Sequence, residues 1–460
     1  ISANDVTAIG QMRFSSSSIK TWAFAGTDFV ENMSGTWTSR KPGSGVTIND
    51  GINNYWSMVN ANGVLCGHSG VSGDTILRWN ASGGNVAALD VDSRFTWSKW
   101  WEWWDGRLWA GNNSNSVDQI QRSSNTDITA WGNDYYLLGE ENTGVKSFGN
   151  GALAMYGEDI IVLLSPTGNA SIPYRRQGRS GRGTVSGRSI VSIPGPNNPV
   201  VHLFVRDDGI YAFAGDEARK ISWKLDGIRY WDNVNVSALH NSFAVENRDL
   251  NEVWFFLPYT TSTKMNHIVV YNYLRDQWYG PMVSEAGGND WNCGATIDGL
   301  VHAGGYADMG KVYRMDATDE LNDDDGGGSE KEIVAYFTTG APPPNGIDVR
   351  SRWWWARVAY DVKGDYSVQV THFSPRIPSQ TESIDQGGGY HAIETAFRVA
   401  TSSIAGEDLM ASEDTGLTGY DYTMQMKFAN GSLNEEFSIR RAALMHEPLG
   451  RLRNDSAGVS

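Results

Sequence analysis

The chain has 460 residues, with 37 Lys+Arg against 53 Asp+Glu and a net charge of −16. That length exceeds one ordinary core and suits a large repeat architecture plus a further domain. The acidic surface disfavours broad adhesion to nucleic acid or membranes, and two cysteines, Cys66 and Cys293, are too few for a disulfide framework.

No apolar run reaches the roughly 18 residues of a membrane-spanning helix. The opening ISANDVTAIGQMRF lacks the basic-then-apolar layout of a signal peptide. Beginning at Ile1 rather than Met points to upstream residues that are missing or were processed away. Glycine is abundant at 52, with 19 Trp and 19 Tyr. Many turns joined by aromatic strands predict an all-β chain.

Residues 1–45 read as an N-terminal segment with loop signals at SSSS (15–18) and KPGSG (41–45). It could close a ring of sheets by pairing residues 20–37 with a late strand such as 333–338. From residue 46 to 340 one plan recurs: a turn, an apolar strand, a small turn, and a strand with an aromatic or polar stop. Its openings are Asn62-Gly63, Asp105-Gly106, Glu158-Asp159, Asp208-Gly209, Asp249-Leu250 and Asp298-Gly299, with a looser copy from Lys20. They fall about 40 to 50 residues apart, the period of a four-stranded propeller blade. Six to eight blades are expected.

Residues 97–109, WSKWWEWWDGRLW, hold six tryptophans, among them Trp100, Trp101, Trp103 and Trp104. Strand alternation cannot put all six into one core, so some must face a neighbouring blade, a second subunit or a carbohydrate. Residues 160–205 contain no acidic residue but carry Arg175, Arg176, Arg179, Arg182 and Arg188. Their Gly/Ser-rich setting predicts an extended, flexible loop that meets DNA phosphate, a neighbouring subunit or solvent. Residues 201–281 are the clearest copies of the plan, with strands at 202–206, 210–213, 219–223, 252–257 and 267–273 and a closing turn at Asp276-Gln277-Trp278.

The acidic, glycine-rich run TDELNDDDGGGSEKE (318–332) reads as an exposed linker, since its oxygen spacing is not that of an EF-hand loop. A second domain, residues 347–450, shows period-two alternation at Tyr366, Val368 and Val370 and at Tyr422, Met424, Met426 and Phe428. This predicts a small β-sandwich, with a glycine-rich connection near 386–390 and a loose tail over 451–460.

No catalytic constellation assembles. The sequence lacks HExxH, G-x-S-x-G and GxxxxGK[ST], and calls for no metal and no cofactor. A glycosidase would need carboxylates converging on the channel. Asp208, Asp249, Asp276 and Asp298 instead sit at turns of the repeat, where aspartate is first a turn former. The chain is therefore not expected to be an enzyme.

The motif Asp208, Gly209, Ile210, Tyr211, Phe213, Gly215, followed by Asn251, Val253, Trp254, Phe255, Val270, Tyr271, Asn272 and Trp278, resembles the propeller portion of tail nozzle (hub, or tail tubular) proteins of short-tailed bacteriophages. The resemblance covers residues 145–320. It implies a virion structural protein of the tail, assembled in the host cytoplasm. Such subunits form a hexameric ring below the adaptor or portal, continue the DNA-ejection channel, meet genomic DNA transiently and anchor fibres or spikes. The Arg175–Arg188 run would then grip DNA or lock one subunit to the next. The alternative is a carbohydrate-binding or glycan-cleaving propeller acting in receptor recognition.

Overall fold

A computed structural model describes residues 5–15, 18–51, 54–80, 84–125, 127–149, 151–195, 200–226, 229–283, 290–306 and 310–315, and beyond these Met424 and the nine strands named last in this subsection. The chain divides into two compact units, Ile1–Asp316 and Ala317–Ser460.

The first unit is a β-propeller whose sheets follow one another in chain order. Blade 1 is β1 (Val6–Ser15), β2 (Ser18–Ala25), β3 (Asp28–Met33) and β4 (Thr36–Ser39). Blade 2 is β5 (Ser57–Ala61), β6 (Val64–His68), β7 (Leu77–Asn80) and β8 (Ala87–Ala88). Blade 3 is β9 (Ser98–Trp104), β10 (Arg107–Asn113), β11 (Gln119–Ser123) and β12 (Trp131–Leu137). Blade 4 is β13 (Gly144–Phe148), β14 (Ala152–Tyr156), β15 (Ile161–Asn169) and β16 (Ile172–Ser180). Blade 5 is β17 (Val191–Ile193), β18 (Val201–Arg206), β19 (Gly209–Phe213) and β20 (Ala218–Lys220). Blade 6 is β21 (Phe243–Asn247), β22 (Glu252–Leu257), β23 (His267–Asn272) and β24 (Gln277–Val283). Blade 7, among the described residues, is β25 (Trp291–Ile297), β26 (Leu300–Gly305) and β27 (Val312–Arg314).

Every pairing within these sheets is antiparallel, between strands adjacent in sequence. The first strand of each blade lies nearest the axis: β5 packs on β9, β9 on β13, β17 on β21, β21 on β25, and β25 on β1. Seven blades fall within the expected six to eight. Between them lie apolar layers such as Phe204, Tyr211, Phe213, Tyr156 and Leu163, which join blades 4 and 5. Each faces a second sheet, so these strands are nearly continuously apolar rather than alternating.

The ring closes differently from expectation. Residues 20–37 pair only among the strands of blade 1, and the late strand (Tyr336–Thr338) pairs within the second unit. The N-terminal segment is a complete blade, and closure is side by side: the Cys293 Sγ lies 3.3 Å from the Val6 carbonyl, Asn292 Nδ2 donates to that carbonyl at 3.2 Å, and Gln11 Nε2 donates to Asp298 at 2.8 Å. Two further expectations in blades 5 and 6 are corrected. The strand expected through Trp223 stops at Lys220 and gives way to a short helix, α1 (Trp223–Asp226). Asp276 ends the turn before β24, so Gln277 and Trp278 are already in the fourth strand.

The second unit contains β28 (Asn322–Asp324), β29 (Glu330–Glu332), β30 (Tyr336–Thr338), β31 (Val349–Asp361), β32 (Ser367–Ser374), β33 (Ile377–Asp385), β34 (Met410–Asp421), β35 (Gln425–Ala429) and β36 (Ser438–Arg451). Sheets β30-β35-β32-β33 and β34-β31-β36 share a core of Trp353, Val358, Val368, Val370, Met424, Met426 and Phe428. The sandwich expectation holds, but the acidic run is not simply a linker, because β28 and β29 pair as a hairpin. The boundary also falls near Asp316 rather than residue 340. The connection at 386–390 and the tail beyond Arg451 lie outside the described residues.

Candidate functional site

The residues that converge from the most blades meet at the propeller axis, and only one of them belongs to a feature singled out in the sequence. The connection from blade 4 to blade 5 makes a 3-10 turn, Gly187–Ser189. Thr184 and Ser189 pin it: the Thr184 hydroxyl donates to Val205 O at 2.8 Å, and Ser189 Oγ accepts from Val205 N at 3.0 Å. Gly187 is required by space. A Cβ there would stand 2.2 Å from Thr143 O and 2.9 Å from the Trp100 ring.

This turn aims Arg188 inward. Its guanidinium lies 3.7 Å over the Tyr55 ring and 5.1 Å from the Phe243 ring, and it donates to the carbonyl of Asn292. Tyr55 precedes blade 2, Phe243 opens blade 6 and Asn292 opens blade 7. One side chain from the edge of blade 5 reaches all three only by crossing the axis. Lys264, from the β22–β23 connection, donates to Tyr55 Oη at 3.2 Å and to Asn292 Oδ1 at 3.4 Å.

The electrostatics follow from burial. Desolvation lowers the Arg188 guanidinium from its usual range, opposed by Tyr55 and Cys293. Desolvation also lowers Lys264 to about 8, with Asp5 and Asp290 opposing and Arg188 reinforcing. The Cys293 thiol is pushed up to about 12 by burial, so it is held as the unreactive thiol. Among the described residues no group of three or more His, Cys, Asp or Glu side chains could hold a metal ion. The arrangement ties four blades together across the axis.

The other arginines of the basic run lie elsewhere. Arg175, Arg176 and Arg179 are on β16, the outer strand of blade 4, which corrects the expected flexible loop. Arg176 donates to Leu138 O at 2.7 Å, and the Arg179 side chain lies outside the described residues. Arg182 lies over the Tyr211 ring at 5.6 Å. The five do not form one patch, because β16 runs on the blade's outer edge while Arg188 points to the axis.

The tryptophan run is divided by strand alternation between two cores. Trp101 packs toward blade 2 with Phe95, Leu108 and Trp131, with Trp103 at the margin. Trp100, Trp104 and Trp109 pack toward blade 4 with Leu153, Met155 and Tyr174. Trp100, Trp101 and Trp104 are buried within one subunit, which corrects their expectation as interface aromatics; Trp103 is half-buried. Tyr55, Lys264 and Asn292 escaped sequence reasoning, for they sit in two separate connections and at the start of β25 and share no motif.

The turn aspartates are held as turn residues. Tyr211 Oη donates to Asp208 at 2.8 Å, and Tyr271 Oη donates to Asp276 at 3.1 Å, where Lys224 also bonds. Asp276 and Asp298 have φ of 51°, the left-handed region that asparagine and aspartate tolerate.

No family model matches the chain, and no curated protein matches it. Among solved structures it is similar to the extracellular domain of a candidate one component system from B. thetaiotaomicron, at 8% identity and TM-score 0.42 over 83% of this chain and 52% of that one. The chain thus spans about half of that protein's length. It is also similar to a candidate 6-phosphogluconolactonase from Bacteroides uniformis, at 12% identity and TM-score 0.43 over 67% and 91% of the two chains. A third is an exo-beta-1,3-galactanase from Phanerochaete chrysosporium, at 11% identity and TM-score 0.27 over 82% and 99%. None of the three is a phage tail protein, and likeness at this level carries nothing about activity.

Proposed function

We propose that this protein is a structural subunit of a short-tailed phage virion, a tail nozzle or hub protein that forms a ring and continues the DNA-ejection channel. The observation that carries the reading is where the residues of the family resemblance lie. They form two consecutive blades and act there as wall material. Val253 and Phe255 are wholly buried, and Tyr211 and Tyr271 tie down the turn aspartates. The axial contacts add to this: with Arg188, Tyr55, Lys264 and Asn292 bonded across the axis, the reading takes DNA through the centre of a ring of subunits and not through one propeller.

The acidic net charge of −16 suits a conduit that phosphate must traverse without being trapped. In this reading the ring meets an adaptor or portal ring on one side and fibres or spikes on the other. Exposed Arg175 and Arg182 are candidates for contact with passing DNA or a neighbouring subunit.

Native mass measurement and particle imaging test the proposal. Six copies around one axis with an open centre are expected; a stable monomer or trimer overturns it. Particles carrying Arg175→Ser, Arg176→Ser, Arg179→Ser and Arg182→Ser that assemble and eject normally would remove these arginines from the mechanism while leaving the ring intact.

A further inference from the structure

Blade 3 leaves one face of its outer strands uncovered. On β11 and β12, Ile120 and Tyr136, with Leu138 just past β12, turn toward blade 4, and Tyr136 lies against Trp109 and Tyr174. Alternation sends Gln119, Gln121, Asn133, Tyr135 and Leu137 to the other face. The inner part of that face is covered by blade 2 through Trp101 and Leu108. The outer part is open and forms a groove of about 600 Å³, completed by Ser93, Arg94, Asn115 and Ser116 from neighbouring connections.

The groove's chemistry is specific. Gln121 is 4% exposed and lines the groove; its Oε1 has no hydrogen-bond partner and is itself sealed from solvent, so a ligand reaches it only when the amide turns. A buried carbonyl oxygen left unbonded is costly, and natural proteins keep few of them. Its cross-strand neighbour Tyr135 is 54% exposed, and Leu137, opposite Gln119, is 45% exposed. Arg94, the one charged lining residue among the described residues, is oriented by two bonds: Nε donates to Trp131 O at 3.1 Å and Nη1 donates to Asn133 Oδ1. That bond orients the Asn133 amide with its NH₂ left to donate. Asn115 spends its NH₂ on Arg94 O at 2.7 Å, leaving its Oδ1 to accept.

We infer that this groove binds a saccharide. Each sugar hydroxyl both donates and accepts, which matches the Asn133 donor beside the Asn115 acceptor, with the Gln121 carbonyl joining them once its amide turns toward the groove. The C–H face of a pyranose ring suits an exposed tyrosine, which offers a flat apolar surface with a polar tip. The volume lies within the roughly 300–1,000 Å³ of small-ligand sites. Among the described residues Arg94 is the one charged side chain of the lining and no carboxylate stands beside it, so the groove admits an anionic sugar as well as a neutral one. The inference concerns a single subunit and does not depend on ring formation.

The test is saturation-transfer NMR on the full chain with methyl galactoside, methyl glucoside, methyl mannoside, rhamnose and N-acetylglucosamine, and with glucuronate as the charged comparison. At least one of these sugars should show transfer. Gln121→Leu and Tyr135→Ala should each weaken that binding at least tenfold. Gln121→Leu is near in shape and removes an unbonded acceptor, so its unfolding midpoint should not fall, separating lost binding from lost fold. Absence of transfer from every sugar overturns the inference, as does transfer that survives both substitutions. A Tyr135→Ala chain that loses self-association while sugar binding is unchanged would mark the groove as a subunit contact and also overturn it.

Discussion

The guanidinium of Arg188 lies 3.7 Å over the ring of Tyr55, joining the approach to blade 5 with the approach to blade 2 across the propeller axis. A cation over an aromatic face contributes about 0.5–2 kcal/mol, and here the same group also bonds Asn292 O. Arg188→Ala removes both and opens a cavity where four blades meet. It should cost about 2–4 kcal/mol by chemical denaturation. Arg175→Ala, on an exposed outer-strand position, should change stability by less than about 0.5 kcal/mol. Equal effects at the two sites would refute the strut.

The tryptophans separate in the same way. Trp109 is fully buried against Trp104 and Tyr174, so Trp109→Ala should cost about 3–5 kcal/mol. Trp103, at the margin of its cluster, should cost far less on truncation. Urea midpoints of the two variants decide this, and a larger loss at Trp103 would contradict the division of the run into two interblade cores.

These cases show what the sequence disclosed. Asn62-Gly63, Asp105-Gly106 and Asp298-Gly299 each put two residues at positive φ between the first and second strands of a blade. That backbone demand is written in residue identity, which is why the repeat was legible. Glu158-Asp159 and Asp208-Gly209 instead join the second and third strands. Openings at those two pairs therefore frame blades 4 and 5 one strand late, although the overall period is kept. The axial cluster was not legible, because Tyr55, Arg188, Lys264 and Asn292 are brought together only by ring closure and no local spacing records it.

Stability should fall on the acid side of neutrality. His202 is buried, with its Nδ1 2.6 Å from Tyr156 Oη and its Nε2 3.0 Å from Ser147 O; burial lowers it to about 3. His267 is lowered to about 4 by the same cause. Above the unfolded value of about 6.5 neither state binds these protons. As pH falls below it, the unfolded chain takes them up and the native propeller refuses them, so stability drops by up to about 1.4 kcal/mol per pH unit for each histidine. Urea midpoints at pH 8 and pH 5 should show the fall, and His202→Gln should lessen it. A flat profile would show that these rings are solvated in the native state.

The seam between blades 7 and 1 should be sensitive to added volume. A Cβ on Gly304 would stand 2.7 Å from both Cys293 Sγ and Val6 Cγ1, and 2.8 Å from Val6 Cβ. Backbone pairing fixes Gly304 opposite Cys293, so the strain must be relieved by parting β26 from Val6. Gly304→Ala should lose about 1–3 kcal/mol. It should also speed modification of the Cys293 thiol by a small disulfide reagent, since that thiol is shielded only while the seam is shut. Cys66, buried in the core between blades 2 and 3, provides the internal reference. Gly178→Ala, where a Cβ meets nothing within 4 Å, should leave both rates unchanged. If Gly304→Ala accelerates Cys66 and Cys293 equally, the propeller opens as one cooperative body and the seam is not its point of entry.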